Sequence, residues 1–289
     1  MIVPIKQIIE KASKGKYAVG AFNTSNLEIT LAIVRAAVAE KSPVIIQTSK
    51  SAIEYSNLPT IFNMISTVAN TIGKSVPIAI HLDHGHDISL VKKCVDIGYN
   101  SVHMDASEKD FATNIKLSKQ AASYGHQKKV WVQAELGAIL GKEGMVKLKS
   151  GQIKMEDFMT DPEQAKIFVE KTGVDTLAVS VGTIHGHFKG IEKVDQERLK
   201  KIRSLVKIPI VLHGGSGLSA GDFKQAIKNG VSVINIDTNL RMAFQKALKA
   251  NINKKSNMID PRKILEPSTL AMQKEVVKTI RIFGSNNKA

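Results

Sequence analysis

The chain has 289 residues, a formal charge of +15, 43% apolar residues and a single cysteine. That length holds one large domain or two small ones and can bury a full core. No run of 18 apolar residues is present to span a bilayer, and a lone Cys94 excludes an internal disulfide and a cysteine-based zinc site. Only six of the 41 basic residues are Arg and aromatics are 5%, so base readout and stacking on nucleic acid have little to draw on. The scattered lysines read as solvated helix faces whose field steers anionic small molecules.

The first segment, MIVPIKQIIEKASKGK, places Ile5, Ile8, Ile9 and Ala12 on one stripe of an amphipathic helix. It has neither the apolar core nor the small-residue cleavage site of a secretory signal. Together with the single thiol, placed in the helical pattern LVKKCVDIG, this gives a reducing cytoplasm as the expected location. Eight short apolar runs then recur: 17–22, 43–48, 76–82, 100–105, 130–135, 175–181, 208–213 and 232–236. Their continuous apolar character suits parallel strands covered on the outside by helices. Between them lie helical patterns over 28–41, 58–73, 88–98, 114–125, 161–173, 194–206, 219–230 and 239–251. Gly73, Gly98, Gly125 and Gly173 are read as stop signals, and Asp161-Pro162 as a start. Strand and helix alternating eight times predicts an α/β fold, a (β/α)8 TIM barrel, as one domain over 1–289. A doubly wound sheet is the competing architecture. A Gly- and Lys-rich insertion over 136–160 has the composition of a lid. A polar stretch, 254–263, precedes a C-terminal helix over 268–284, a helical extension to the barrel.

Function in such barrels lies at the C-terminal strand ends. Those ends carry Asn23, Thr48 and Ser49, Asp83 and His84, Asp105, Glu135, His185, His213, and then Asn235, Asp237 and Thr238. The densest is AIHLDHGHD (79–87), with ionisable groups crowded behind a β-branched run. Three imidazoles from separate strands, His84, His185 and His213, make an open zinc site. Asp105 and Glu135 are placed to hold a second metal position or to orient a ligand. His86 and His187 read as loop residues, His126 as solvated, and His81 and His103 as packing or orienting groups within strands. After the seventh and eighth strands, VLHGGSG (211–217) and VINIDTN (233–239) have the glycines and exposed amides of a phosphate cradle. GTIHGHFKG (182–190) adds Gly186 and Lys189.

These residues resemble the class II, zinc-dependent fructose-bisphosphate aldolases of the shorter form. The likeness runs nearly end to end, through YAVGAFN, SPVIIQTS, AIHLDHG, SVHMDAS, AELG, VGTIHG, VLHGGSG, NIDTN, DPRK and FGSNNKA. It implies a metal-dependent lyase that cleaves fructose 1,6-bisphosphate to dihydroxyacetone phosphate and glyceraldehyde 3-phosphate, in glycolysis and gluconeogenesis. It also implies a homodimer or homotetramer, a Zn2+ ion with a second position, and a monovalent cation, Na+ or K+, as activator. By motif, Asp83 takes the part of the acid/base on the C4 hydroxyl, and His84, His185 and His213 that of the zinc ligands. Asp105 and Glu135 resemble carboxylates of an alternate metal position. Gly186, Lys189, Gly214, Gly215, Ser216, Asn235, Asp237 and Thr238 resemble the dihydroxyacetone phosphate site. Ser49 and Arg262 resemble contacts to the other phosphate, Arg262 reaching in from a neighbouring subunit. Glu143 falls where the family carries the base that moves the enolising proton, but the loop here reads LGKEGM, a departure from the family pattern.

Three rival readings remain at this level. Tagatose 1,6-bisphosphate aldolase runs the same chemistry on a sugar differing at one stereocentre. A metal-dependent hydrolase barrel would carry its His-x-His pair on the first strand, which here ends in AFN. A non-enzymatic binding role for the basic surface is the third; neither a specific nucleic-acid partner nor a membrane span is expected.

Overall fold

The computed structural model describes residues 1–139, 155–184, 193–254 and 257–289, the side chains of Met155 and Asp157 excepted. Eight strands form the barrel: β1 (Val19–Asn23), β2 (Val44–Ser49), β3 (Ile78–Gly85), β4 (Ser101–Met104), β5 (Trp131–Leu136), β6 (Thr176–Val179), β7 (Ile210–Leu212) and β8 (Val231–Ile236). They close in sequence order, with β8 pairing back on β1, and every pairing is parallel. The barrel is therefore a (β/α)8 fold, and a doubly wound sheet is excluded by closure.

The helices are α1 (Ile5–Gly15), α2 (Leu27–Ala39), α3 (Lys50–Ser56), α4 (Leu58–Thr71), α5 (Ile88–Ile97), α6 (Phe111–Gln127), α7 (Pro162–Thr172), α8 (Gln196–Leu205), α9 (Ala220–Lys228), α10 (Thr238–Lys254) and α11 (Pro261–Phe283). Their starts follow capping chemistry. Asn26, Asp87, Asp110, Asp161 and Asp195 each accept a backbone N–H of the first turn. Ser219 and Asp222 form a reciprocal capping box on α9. The C-terminal helix begins at Pro261, seven residues before the sequence pattern suggests, because Asp260 caps it and Pro261 suits the first turn. It runs through Pro267 and packs along α10 and α2.

Alternation along each strand sorts the side chains. Outward residues such as Phe22, Ile46, Ile80, Val102, Val132, Leu177, Leu212 and Ile234 are buried beneath the helices. Inward residues divide along the axis. Val19, Ala21, Ile45, Ala79, Ala178, Val211 and Val233 fill one end, packed against Ile5, Ile8, Ile9 and Ala12 of α1. The amphipathic stripe of α1 thus plugs the N-terminal mouth. The next inward positions towards the other mouth are polar: Asn23, Gln47, His81, Asp83, His103, Gln133, Glu135, His213 and Asn235, all buried.

One helix end departs from the sequence reading. Gly125 does not stop α6, which continues to Gln127. It instead lets the helix approach β5, since a Cβ there would lie 2.6 Å from Val132 Cγ2 and 2.9 Å from the Val130 carbonyl oxygen. Alanine is the better helix former by about 1 kcal/mol, but a backbone oxygen at that distance cannot yield, and overpacking costs about 1–3 kcal/mol. Gly125→Ala should therefore lower the urea midpoint of unfolding. An unchanged or higher midpoint would show that α6 has room to move.

Candidate metal centre

The site is built where the β3–β4 ladder breaks. Register shifts between Leu82 and Gly85, and His84 adopts a left-handed φ of 47°. A non-glycine residue pays for that conformation, which is a common price of aiming a functional side chain. Gly85 makes the break feasible: a Cβ on it would sit 2.6 Å from the His103 carbonyl oxygen.

His84 turns its ring into the mouth. Its Nδ1 lies 2.6 Å from Asp105 Oδ2, and its Nε2 lies 3.1 Å from His213 Nδ1. Asp105 is held in turn by Ser107, whose Oγ donates to Oδ1 at 2.7 Å and whose backbone N–H donates at 3.1 Å. His213 Nε2 is 2.9 Å from Gln133 Nε2 and 3.2 Å from Asn235 Nδ2. The rings of His84, His103 and His213 have centroids 4.8–5.3 Å apart. Asp83, 3% exposed, accepts from Asn23 Nδ2 at 2.8 Å and from Asn235 Nδ2 at 3.3 Å. Gln47 Nε2 donates to Asn23 Oδ1 at 2.6 Å and so fixes which way that amide points.

Charge is distributed unevenly through this cluster. Burial alone would raise Asp83, but the adjacent His84, the Asn23 hydrogen bond and the nearby His81 and His103 hold it below the usual carboxylate range. Burial would lower His84, yet Asp83, the hydrogen bond to Asp105 and the charges of Asp105 and Glu135 push it up to about 10. Desolvation keeps His81 down at about 4 and His103 down at about 3. Asp105 is held well below its ordinary value, against its burial, chiefly by the His84 hydrogen bond. Glu135 moves the other way, raised by burial and by Asp105.

Two overlapping sets could hold a cation, one donor atom from each residue and all donors within 4.8 Å of one another: Asp83, His84, His103 and His213, and His84, His103, Asp105 and Glu135. The residues fit a divalent ion. Imidazole nitrogens and carboxylate oxygens converge from separate strands, and His103 Nε2 and Glu135 Oε2 are buried with no hydrogen-bond partner. The structure therefore presents one buried His/Asp/Glu centre suited to one divalent metal.

Of the residues singled out from sequence, Asp83, His84, Asp105, Glu135, His213 and Asn235 meet here. Gly214 precedes a 3-10 turn, Gly215–Gly217, that carries Ser216 between β7 and α9. Asp237 and Thr238 lie where β8 gives way to α10, with Arg241 Nε donating to Asp237 at 2.6 Å. Ser49 ends β2 and its Oγ lies 2.9 Å from Ser51 Oγ. Arg262 is exposed, and its guanidinium donates to Asp260 at 3.1 and 3.0 Å. His185, Gly186, Lys189 and Glu143 lie outside the described residues. His86 is exposed, though its Nδ1 is 3.6 Å from Asp105 Oδ2. Cys94 is buried and its thiol is pushed up to about 12, so it is no nucleophile.

The structure adds Gln47, Gln133 and His103 to the site and makes the strand-end Asn23 a donor to Asp83. From sequence His103 reads as a packing or orienting group within a strand, not as a member of the donor cluster. The missed signal is two-residue alternation: 103 and 105 share a strand face, so an inward Asp105 implies an inward His103.

Comparison with known proteins agrees with this geometry. The family profile described as class-II fructose-bisphosphate aldolase matches residues 3–288. The fructose-bisphosphate aldolase of Geobacillus stearothermophilus is 40% identical over 289 residues, covering 100% of this chain and 99% of that protein. One from Staphylococcus aureus is 37% identical with the same coverage. The crystal structure of the YdjI aldolase from Escherichia coli K12 superposes with a TM-score of 0.87 at 32% identity, covering 100% of both chains. Matched by that profile over residues 3–288 and by relatives along its whole length, and with Asp83 beside converging imidazoles in a polar barrel mouth, this chain is a member of the class-II fructose-bisphosphate aldolase family.

Proposed function

We propose that this chain cleaves fructose 1,6-bisphosphate reversibly to dihydroxyacetone phosphate and glyceraldehyde 3-phosphate, a step of glycolysis and gluconeogenesis. The observation that carries the reading is Asp83: a buried carboxylate held by Asn23 and Asn235, one peptide link from His84, inside a cluster of metal donors. A bound divalent ion, zinc in this proposal, supplies Lewis-acid stabilisation of the negative charge that develops as the C3–C4 bond breaks. His84, His213 and the sequence-assigned His185 would hold it, with Asp105 and Glu135 as a second position.

The chain's own residues do the rest. Asp83 takes the C4 hydroxyl proton as the bond breaks and returns it in the condensation direction. Asn23 and Asn235 hold its two oxygens, so the base needs little reorientation. The Gly214–Ser216 turn, Asn235, Asp237 and Thr238, with Gly186 and Lys189, form the cradle for one phosphate; Ser49 and Arg262 serve the other. Glu143 moves the proton on the carbon of the ketose fragment. No lysine lies in any of the described strands, which supports metal chemistry over a Schiff base. The tagatose sugar is the alternative substrate, and a coupled assay with both ketose bisphosphates decides between them. The same assay with Na+ or K+ exchanged for a bulky organic cation tests the monovalent activator. The basic surface favours capture of a doubly phosphorylated sugar. Among the described residues no helix is long and apolar enough to cross a membrane, and a cytoplasmic location is part of the proposal.

Chelation should abolish cleavage, and zinc or cobalt should restore it. Borohydride added with substrate should leave activity intact; a reduced covalent adduct with lost activity would refute the metal mechanism.

Asp83→Ala and Glu143→Ala should fail at different steps. Asp83→Ala should retain metal and lose about 10²–10⁴ in turnover, the usual worth of a positioned proton acceptor. Glu143→Ala should instead slow tritium exchange from dihydroxyacetone phosphate. Near-normal cleavage by the metal-loaded Asp83→Ala chain would remove Asp83 from its role, and unaltered exchange would remove Glu143 from its own.

Arg262 is assigned to a neighbouring subunit's site, in a homodimer or homotetramer. Its exposure fits that, and a guanidinium fork suits phosphate better than an ammonium group does. Arg262→Ala should raise KM by about 30-fold, the equivalent of a charge-assisted contact worth about 2 kcal/mol. Mixing Arg262→Ala with Asp83→Ala chains at low substrate should then restore one intact site per mixed pair. If activity does not return, Arg262 acts within its own chain or not at all.

A further inference from the structure

His103 belongs to both candidate donor sets but has no role in the proposed reaction, and its ring is fully buried between His84 and His213, with centroids 5.0 and 5.3 Å away. Its two nitrogens are in different situations. Nδ1 accepts from the backbone N–H of His84 at 3.4 Å. A neutral imidazole accepts through one nitrogen and donates through the other, so the proton sits on Nε2. That Nε2 is buried and makes no hydrogen bond. It lies 3.9 Å from Glu135 Oε2, a buried carboxylate oxygen that also makes none. A donor and an acceptor thus face each other across a gap that a shift of roughly 1 Å would close to hydrogen-bond length.

Two roles compete for this ring. Direct ligation of a cation through Nε2 would move the proton to Nδ1, where it would meet the His84 N–H head-on, donor against donor. Donation from Nε2 keeps both hydrogen bonds of the imidazole productive. Carboxylates that bind metals are themselves usually held by hydrogen bonds, and such supporting partners govern affinity.

We infer that His103 is a positioning residue: its Nε2–H holds Glu135 Oε2 and fixes that carboxylate towards the His84 and Asp105 donors. The inference rests on the reading of Glu135 as a metal carboxylate. It assigns the ring to a task distinct from that of His84 and His213, although all three share one pocket.

The test is a Co2+ titration followed by visible absorption, on the full chain and its variants, with thermal melting as the check on folding. His103→Leu removes the N–H, whereas His103→Gln keeps one near the Nε2 position. His103→Leu should weaken Co2+ binding by about 10–100-fold, the usual effect of losing a supporting partner, and His103→Gln should retain most of the wild-type affinity. His103→Met replaces the leucine variant if that chain does not fold. In a Glu135→Gln background the loss at position 103 should largely vanish, since the two residues act as one unit. Wild-type affinity in His103→Leu overturns the inference. So does a glutamine variant as weak as the leucine one whose X-ray absorption shows one imidazole fewer on cobalt, because His103 is then a ligand. Unchanged Co2+ binding in Glu135→Gln alone defeats the reading of Glu135 beneath it, a failure distinguishable from the other two.

Discussion

An ionised carboxylate buried as deeply as Asp83 must be compensated, or it takes up a proton and ceases to be a base. The mouth of the barrel is arranged around that requirement. Asn23 and Asn235 donate to its two oxygens, Gln47 orients Asn23, and His84 places a positive charge beside it. Each partner comes from a different strand, so no one strand could assemble the site. Closure of β8 on β1 brings Asn235 and Asn23 to the same carboxylate from opposite ends of the chain. The fold and the base are thus linked: opening the barrel would leave the charge unpaired.

The same closure explains the division of the interior. A parallel barrel has two mouths, and this one gives them different chemistry. α1 fills the N-terminal mouth with isoleucine, and the inward layer beside it is small and apolar. Burial there supplies about 1.5–3 kcal/mol for each large side chain. The opposite layer consists of amides, imidazoles and carboxylates that cost stability to bury and hold one another by hydrogen bonds. Stability is gathered at one end and spent at the other, with the strained φ of His84 as part of the expense.

Much of this was legible in the sequence, and the gaps have physical causes. All eight strands match their apolar runs, because strands buried on both faces need continuous apolar character. The α1 stripe names its buried residues outright: Ile5, Ile8, Ile9 and Ala12. Gly125 misled, since a glycine that ends a helix and one that lets a helix approach a strand look alike without the third dimension. The short α3 escaped, because LysSerAlaIleGluTyrSer has too few turns to show a period. At the site, Asp83, His84, Asp105, Glu135 and His213 are legible as strand ends. Gln47, Gln133 and His103 sit one alternation deeper, where a strand-end reading does not look. Their roles follow only from register across neighbouring strands, such as Gln133 reaching His213 over β6.

The imidazoles show why residue type alone underdetermines a site. His81 and His103 are buried and His84 is half-buried in the same barrel mouth, and desolvation presses all three towards neutrality. His84 escapes because it contacts Asp105 directly and stands beside Asp83, and two carboxylates outweigh burial. His81 has Ser101 Oγ at 3.0 Å and His103 accepts a backbone N–H, and for both rings burial outweighs the pull of the nearby carboxylates. A cation bound through His84 competes with the proton that Asp83 and Asp105 favour on that ring. The carboxylates that charge His84 are the ones that would attract the metal in its place. Proton and metal therefore compete for one set of donors, and the neutral rings around them remain as fixed dipoles whichever cation is held.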